Sequence, residues 1–238
     1  MILLIRRRRN EFVPVSFVQK DRPMRLIIFD VDGTLLDSQN FIVEAQKRAF
    51  LSLGMEPATR ERALSIVGLS LDEAFTQLMD GDSSRAPALS QAYRQAWQMM
   101  RHEPGYEDKL YDGAKEAIEF LARQPQTMLG IATGKSVRGV NHMFDQCGWH
   151  DLFATVQTSD HNPSKPAPDM ILKALAETGA DPSATWMIGD TTFDMDMARS
   201  AGVHAIGVTW GYHPHKHLRE AGAQMVVDSF ADLLRHLG

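Results

Sequence analysis

Short apolar runs alternate with helical patterns along most of the chain. Six runs rich in apolar residues predict strands at residues 26–30, 128–132, 155–158, 186–189, 205–209 and 225–227. Several of these runs are continuously apolar, which is typical of strands that helices cover on both faces. The pattern therefore predicts an α/β fold with a doubly wound parallel sheet.

Helical patterns separate the later strands. One apolar stripe begins after Ser136 and stops at Gly148, and a second follows Pro168 and stops at Gly179. Both stripes have the start and stop residues of ordinary helices. A last stripe at residues 230–237 predicts a helix at the end of the chain.

Residues 38–108 break the alternation, because several helical patterns follow one another there with no convincing strand. Ser70 and Glu73 have the spacing of a capping box. A later stripe of apolar residues, Leu89 to Met100, is interpreted as helix-packing core rather than a cofactor site. We expect an inserted all-helical cap domain above the carboxyl ends of the strands, where open parallel sheets bind ligands.

Composition narrows the class of protein. The 238 residues are 44% hydrophobic and 23% charged, and no stretch approaches the length of apolar chain that spans a membrane. The single cysteine, Cys147, rules out an intramolecular disulfide and a cysteine-based zinc site, so we expect a cytoplasmic protein. The formal charge of −5 includes an N-terminal excess of basic residues. The acidic remainder argues against a nucleic-acid surface.

The basic excess lies in residues 1–23, which include the run Arg6 to Arg9. No apolar run of signal-peptide length follows it. We predict a mobile N-terminal tail at residues 1–23, a catalytic core at residues 24–37 and 109–238, and the helical cap at residues 38–108.

Two carboxylates stand at the end of the first predicted strand. Asp30 and Asp32 are two residues apart, so both side chains can approach one site. Close carboxylates favour either a divalent cation or a shared proton. An Asx-rich turn is the structural alternative. A calcium loop is disfavoured, because no Glu stands six residues after Gly33.

Other predicted strand ends are also polar. The second strand runs into Thr133, Gly134 and Lys135, Lys165 follows the third, and the fourth runs into a segment with two carboxylates, Asp190 and Asp194. Each residue alone is a weak signal. Together they suit a hard cation such as Mg²⁺ beside donors for a phosphoryl group.

From residue 24 onward the chain resembles the haloacid dehalogenase-like hydrolases, in the branch of phosphoglycolate phosphatases and β-phosphoglucomutases that carry a helical cap. The segment DVDGT at residues 30–34 is similar to the first family motif, Thr133 to the second, Lys165 to the third, and GDTTFD at residues 189–194 to the fourth. All four occur in order, which makes the resemblance specific.

The resemblance implies a Rossmann-like core, a Mg²⁺ cofactor and a role for each motif residue. Asp30 would be the nucleophile and Asp32 the general acid and base. The remaining implied roles are phosphate binding by Thr133, Gly134 and Lys165, metal binding by Asp30, Asp190 and the backbone carbonyl of Asp32, a supporting position for Asp194 through water or toward Lys165, and candidate substrate contacts at Ser70, Leu71 and Lys135.

Two differences from the sequence patterns of related families guide the prediction of function. Asp32 favours phosphoryl transfer over dehalogenation, since displacement of a halide needs no acid. Apolar Leu71 stands where phosphoglucomutase-like members carry an arginine for a second phosphate. Arg62 or Arg138 could supply that arginine instead.

We therefore predict a Mg²⁺-dependent phosphatase that hydrolyses a small phosphorylated metabolite, a phosphoglycolate-like or sugar phosphate monoester, through an aspartyl phosphate. The alternatives are a phosphomutase, a pyrophosphatase or a catalytically silent binding protein. We expect a monomer or homodimer with neither a nucleic-acid nor a membrane partner.

Three histidines, His213, His215 and His217, lie close together after the fifth predicted strand. A metal site is disfavoured, because Pro214 leaves their directions unrelated and no carboxylate or cysteine stands beside them. We expect this loop to border the pocket.

Overall fold

A computed structural model of the chain describes residues 24–104 and 109–238. Its centre is one parallel sheet of six strands in the order β3-β2-β1-β4-β5-β6. The strands are β1 Arg25–Phe29, β2 Thr127–Thr133, β3 Phe153–Thr158, β4 Thr185–Gly189, β5 His204–Val208 and β6 Met225–Val227. All six predicted strands are confirmed, and their ends differ from the prediction by at most two residues.

Ten helices are present in the described part of the chain. They are α1 Gln39–Ser52, α2 Arg60–Ser65, α3 Leu71–Leu78, α4 Ala86–Met100, α5 Ala114–Ala122, α6 Val137–Cys147, α7 Asp169–Thr178, α8 Thr192–Ala201, α9 His215–Ala221 and α10 Phe230–Leu237. The predicted start of α6 is confirmed, because the Ser136 side chain accepts a hydrogen bond from the backbone N–H of Gly139. None of these helices is long and apolar enough to cross a membrane.

The sheet is covered on both faces, as its continuous apolar strands require. Along β1, Ile27 and Phe29 belong to the buried cluster formed with α5, α6 and α10. Leu26 and Ile28 belong to the cluster formed with α7, α8 and α9. The alternating side chains of one strand thus join two cores, which confirms the doubly wound architecture.

The strand order reverses at β1, which pairs with β2 on one side and with β4 on the other. Chain crossovers therefore leave the sheet in opposite directions from this point, and a crevice opens at the carboxyl ends of the strands. Asp30 directly follows β1 and Asp190 directly follows β4. The topology thus places these two carboxylates side by side.

Helices α1 to α4, residues 39–100, are called the cap segment below. They pack mainly on one another: the ring centroids of Phe50 and Phe75 lie 6.0 Å apart, and those of Phe75 and Tyr93 also 6.0 Å. The domain limits at residues 38 and 108 stay a prediction. Residues 105–108 and the predicted tail at residues 1–23 lie outside the described residues.

Two predictions about this segment need correction. Ser70 is the N-cap of α3, but its side chain makes no capping hydrogen bond, so the predicted capping box is wrong. The backbone N–H of Ser70 instead donates to Ser164 Oγ at 2.8 Å, because this helix end faces a loop of the core. The α4 stripe is only partly packing core, since Tyr93 and Trp97 also line a cavity.

Candidate active site

Asp30 is buried at the end of β1, with 1% of its surface exposed. Lys165 Nζ lies 3.0 Å from its Oδ1 as an ion pair, but neither carboxylate oxygen makes a hydrogen bond within the described part of the chain. Burial raises the pKa of the Asp30 carboxyl to about 6, although Lys165 opposes the shift. Lys165 therefore holds this carboxylate through Oδ1, and Oδ2 stays available.

Asp190 faces Asp30 from the end of β4. Thr34 Oγ1 donates to its Oδ1 and the backbone N–H of Tyr212 donates to its Oδ2, each at 2.9 Å. Burial raises the pKa of the Asp190 carboxyl well above its usual range, and the neighbouring carboxylates of Asp30 and Asp194 add to the effect. Two donors thus orient a carboxylate whose charge is unfavourable without a cation.

Asp194 completes the cluster from the first turn of α8. Its Oδ1 accepts a 2.6 Å bond from Lys165 Nζ, and its Oδ2 accepts bonds from the side chain and backbone of Thr191. Burial lowers the pKa of Lys165, but the ion pairs with Asp194 and Asp30 outweigh burial and raise that pKa to about 12. Asp194 therefore holds the lysine in the charged form beside Asp30.

The donor set fits a divalent cation. One oxygen from each of the buried residues Asp30, Asp190 and Asp194 lies within 4.8 Å of the others, and this is the only such group in residues 24–104 and 109–238. Hard cations take carboxylate oxygens, and the unbonded oxygens of Asp30 lack a partner that such an ion would provide. The oxygens of Asp194 accept three bonds from Lys165 and Thr191, and each oxygen of Asp190 accepts one, so Asp30 has the freest oxygens and Asp190 comes next.

Two glycines allow the backbone to approach Asp190. Gly33 has a φ of 89°, a conformation that side chains disfavour, and a Cβ at this position would collide with the Asp190 carboxylate. A Cβ at Gly211 would collide with the same side chain. Gly33 thus allows the chain to turn beside Asp190.

Asp32 lies at the same edge but its carboxylate is not part of the cluster. Its Oδ1 accepts hydrogen bonds from Ser38 Oγ at 2.7 Å and from Lys135 Nζ at 2.8 Å. Ser38 Oγ is also 3.2 Å from the hydroxyl of Tyr212. The side chain of Asp32 thus belongs to a separate hydrogen-bonded group beside the three buried carboxylates.

Thr133 is the last residue of β2, and Gly134 follows it. Thr133 is buried, and its Oγ1 accepts a 3.2 Å bond from the backbone N–H of Lys135, which leaves its own proton to donate. A Cβ on Gly134 would lie 2.6 Å from the carbonyl oxygen of Gly68 and 2.7 Å from that of Leu69. Only a glycine lets the cap segment come this close to the strand end.

A cavity of about 750 Å³ lies between the strand ends and the cap segment. Its core wall includes Asp30, Asp32 and Thr133, and its other wall comes from α1, α3 and α4. The three predicted substrate contacts, Ser70, Leu71 and Lys135, line it as well. Six side chains singled out from the sequence therefore line one cavity: Asp30, Asp32, Thr133, Ser70, Leu71 and Lys135. Lys165 does not line it but contacts Asp30.

Of the two alternative arginines, only Arg138 lines the cavity. Arg62 points elsewhere, because its guanidinium bonds Asp80 Oδ1 at 2.6 Å and the carbonyl of Leu78 at 3.1 Å. The hypothesis that Arg62 holds a second phosphate is therefore wrong.

The histidines do not form a metal site. The backbone N–H of Thr192 donates to His213 Nδ1 at 3.1 Å, and His213 Nε2 lies 3.1 Å from the carbonyl oxygen of Ser65. Burial lowers the pKa of His213, which agrees with a neutral ring that accepts on one side and donates on the other. His213 thus joins the core to the end of α2, while His215 and His217 are exposed on α9.

Sequence reasoning missed Ser38, Thr34 and Tyr212, which orient the carboxylates. The loop after β5 does not line the cavity as expected; it contacts the acidic cluster instead, through the backbone N–H of Tyr212. No periodicity marks these residues. Their closeness to Asp32 and Asp190 depends on the fold.

Comparison with known proteins gives a consistent result. Residues 27–208 match the family model described as haloacid dehalogenase-like hydrolase. A probable phosphatase of Dickeya dadantii, IndB, is 35% identical over 88% of this chain and 91% of its own length. A phosphoglycolate phosphatase of Photobacterium profundum is 30% identical over 89% of this chain and 94% of its own length. The crystal structure of a hydrolase from Pseudomonas syringae superposes with a TM-score of 0.79 at 28% identity, over 90% of this chain and 97% of that one.

Proposed function

Because the chain belongs to the haloacid dehalogenase-like hydrolases, we propose that it is a Mg²⁺-dependent phosphatase that acts on a small phosphorylated metabolite through an aspartyl phosphate. The relatives described above, a probable phosphatase and a phosphoglycolate phosphatase, support this activity. Phosphoglycolate-like compounds and sugar phosphate monoesters are the proposed substrates. We also propose that the cap segment selects the substrate, because it forms the cavity wall opposite the strand ends.

One observation carries this proposal. Asp30 Oδ1 has the ion-pair contact with Lys165 at 3.0 Å, whereas the buried Oδ2 has no polar partner in the described residues, although the side chain opens on the cavity. A buried carboxylate kept without hydrogen bonds costs free energy, so a purely structural role does not account for it. A nucleophile must keep such an oxygen free for the reacting atom.

In the proposed first step, an oxygen of Asp30 attacks phosphorus and the bond from phosphorus to the leaving alkoxide breaks. Thr133 Oγ1 and Lys165 Nζ donate to the phosphoryl oxygens. Bound Mg²⁺ would supply positive charge that offsets repulsion between the carboxylate and the phosphate, with Asp30 and Asp190 as its side-chain ligands.

Asp32 serves both steps as the proton carrier. It gives a proton to the leaving alkoxide, then takes one from the water that cleaves the phosphoryl group from Asp30. Its Oδ1 is engaged by Ser38 and Lys135, so the proton is carried by Oδ2. Asp30 is regenerated and inorganic phosphate leaves.

A phosphomutase is the second candidate, because the same first step would serve it. Arg138 lines the cavity and could hold a second phosphate. Apolar Leu71 at the wall weakens this candidate. Phosphorus NMR separates the two: a phosphatase releases inorganic phosphate from a hexose 1-phosphate, whereas a mutase converts it to the 6-phosphate.

The decisive experiment traps the intermediate. Asp32→Asn is mixed with p-nitrophenyl phosphate and Mg²⁺, quenched in acid and mapped by peptide mass spectrometry. We expect a phosphoryl group on Asp30, because nitrophenolate leaves without an acid but the intermediate still needs a base for hydrolysis. Asp30→Asn is the matched control and should stay unlabelled.

Other outcomes would contradict the mechanism or the activity. A phosphoryl group on another residue, or none in a single turnover, would exclude attack by Asp30. Failure of the wild-type protein to release phosphate from any of a panel of phosphorylated metabolites with Mg²⁺ would instead favour a silent binding protein.

A further inference from the structure

The cavity wall formed by the cap segment carries arginines that the proposed mechanism does not use. Arg94 and Arg101, which lie on α4 and at its C-terminal end, line the cavity together with Arg138 from the core. None of the three forms an ion pair within residues 24–104 and 109–238. Lys135, a further cation that lines the cavity from the core, is held by Asp32.

Of these three arginines, only Arg101 has a buried side-chain nitrogen, its Nε, without a hydrogen-bond partner in the described residues. Gln46, which lines the same cavity and is 4% exposed, has a buried Oε1 that also lacks a partner. A buried donor without a partner costs free energy, and a ligand that accepts from it removes that cost.

The position of α4 relates these arginines to the reacting centre. Lys135 Nζ lies 5.2 Å from the centroid of the Trp97 ring and 2.8 Å from Asp32 Oδ1. Arg101 follows Trp97 by four residues and Arg94 precedes it by three, so all three share one face of the helix. The arginines therefore lie on the same helix as the ring that contacts Lys135, the partner of Asp32, and they line the cavity that Asp32 also lines. Because Asp32 is the proposed acid for the leaving group, we place the leaving group in this part of the cavity.

The acids on the cavity wall do not neutralise these cations. Asp72 accepts a hydrogen bond from Ser90 Oγ, and Asp160 accepts one from the backbone N–H of Val137. Neither forms an ion pair with an arginine in the described residues. A guanidinium binds carboxylate and phosphate in the same two-pronged way, so the shared ligand chemistry is an acidic group.

We infer that Arg101, supported by Arg94, binds a second acidic group, carboxylate or phosphate, on the leaving group of the substrate. The cavity of about 750 Å³ has room for a leaving group of hexose size. The protein would thus select phosphate monoesters that are also acids. This inference rests on the proposed phosphatase activity and specifies its substrate class.

The test compares esters that differ only in the second acidic group. Phosphate release is measured for glucose 1-phosphate, glucuronic acid 1-phosphate and glucose 1,6-bisphosphate, which provide a neutral, a carboxylate and a phosphate arm. Ethyl phosphate and phosphoglycolate form a shorter pair. We expect kcat/KM of the wild-type protein to favour an acidic member by about tenfold or more.

Variants assign the preference to residues. Arg101→Gln should lower kcat/KM for the preferred acidic ester by about tenfold to a hundredfold, mainly through KM, and change the neutral ester less than about twofold. Arg101→Lys should restore part of the loss, and Arg94→Gln should cause a smaller one. Arg85→Gln is the control, because Arg85 is exposed at the N-terminal end of α4 and does not line the cavity.

Two results would overturn the inference. One is a wild-type protein with no preference for an acid in either series. The other is an Arg101→Gln protein, folded by circular dichroism, whose loss is equal for neutral and acidic esters. In both cases the proposed phosphatase function would stand if the wild-type protein hydrolyses p-nitrophenyl phosphate and Asp30→Asn does not. If the wild-type protein hydrolyses no ester at all, the proposed phosphatase function itself is refuted, and the inference falls with it.

Discussion

The edge of the sheet that carries Asp30, Asp190 and Asp194, the proposed catalytic edge, and the cap segment are built in different ways. At the edge, Asp30, Lys165 and Asp194 are fully buried and joined by bonds of 2.6 and 3.0 Å. The cap segment has its own apolar clusters and faces the core across a cavity. Its polar bonds to the core include one from Ser70 to Ser164 and one from His213 to Ser65.

In this fold, the proposed phosphoryl transfer and the proposed substrate selection are expected at different places. Groups that must be placed closely stand at the ends of paired strands, where backbone hydrogen bonds set their positions. Groups that must meet different molecules stand on helices held by few polar bonds, which leaves that wall free to move or vary. Changes at the edge should therefore affect turnover, and changes in the cap segment should affect affinity.

The largest effect is expected at the nucleophile. Asp30→Asn should lower kcat for p-nitrophenyl phosphate by at least about 10³-fold, because no other group can form the intermediate. In metal-free protein the same change should raise Tm, since it removes a buried charge whose pKa is already raised to about 6 by burial.

Steady-state assays and differential scanning calorimetry in EDTA check both parts. Asp145→Asn, an exposed site on α6, should change neither quantity. A lower Tm in Asp30→Asn would mean that this carboxylate stabilises the fold rather than serving catalysis alone.

A second prediction concerns the metal. Asp190→Asn should weaken Mg²⁺ activation by about tenfold to a hundredfold and be partly rescued at high Mg²⁺, because one ligand is lost but Asp30 remains. Titration of activity against Mg²⁺ measures the shift. Asp196→Asn, on the exposed side of α8, is the control. An unchanged Mg²⁺ dependence would remove Asp190 from the ligand set.

Lys135 lies between the two regions, because it contacts Asp32 of the edge and Trp97 of the cap segment. A substitution there tests which region it serves. Lys135→Met should lower kcat by about tenfold through loss of the charged hydrogen bond to Asp32. Lys115→Met, exposed on α5, should have no effect. If only KM changes, Lys135 belongs functionally to the cap segment.

The smallest effect is expected where His213 joins the regions. His213→Leu should raise KM about threefold with kcat nearly unchanged, and lower Tm by about 2–4 °C, because two hydrogen bonds between backbone groups and the ring are lost. His217→Leu, exposed on α9, provides the control. A large fall in kcat would show that the contact also positions the catalytic edge.

Much of the edge could be predicted from sequence. The ends of β1, β2 and β4 are marked by the switch from apolar residues to Asp30, Thr133 and Asp190. Parallel pairing brings carboxyl ends of strands to one side, so local pattern was enough to bring these residues together. The helix ends at Gly148 and Gly179 were also predictable from local pattern, because glycine readily takes the left-handed conformation in which each of these helices ends.

The cap segment could be predicted only as helices. Trp97 reads as one more apolar residue of a packing stripe, and Arg101 as a solvated charge at a helix end. Ser70 has the pattern of a capping residue but bonds the core instead through its backbone. What such a residue faces depends on how its helix is rotated and what lies opposite, which periodicity does not encode.

The sequence by itself therefore determined the sheet, the order of its elements and the carboxylates at its edge, because these follow from local patterns and from the rules of parallel pairing. The tertiary structure alone decided that Asp32 turns to Ser38 and Lys135, that Asp190 is held by Tyr212, and that arginines of α4 face the cavity. Apart from the bond between Asp32 and Ser38, these contacts join residues far apart in the chain. Their geometry results from packing between elements, which no short stretch of sequence specifies.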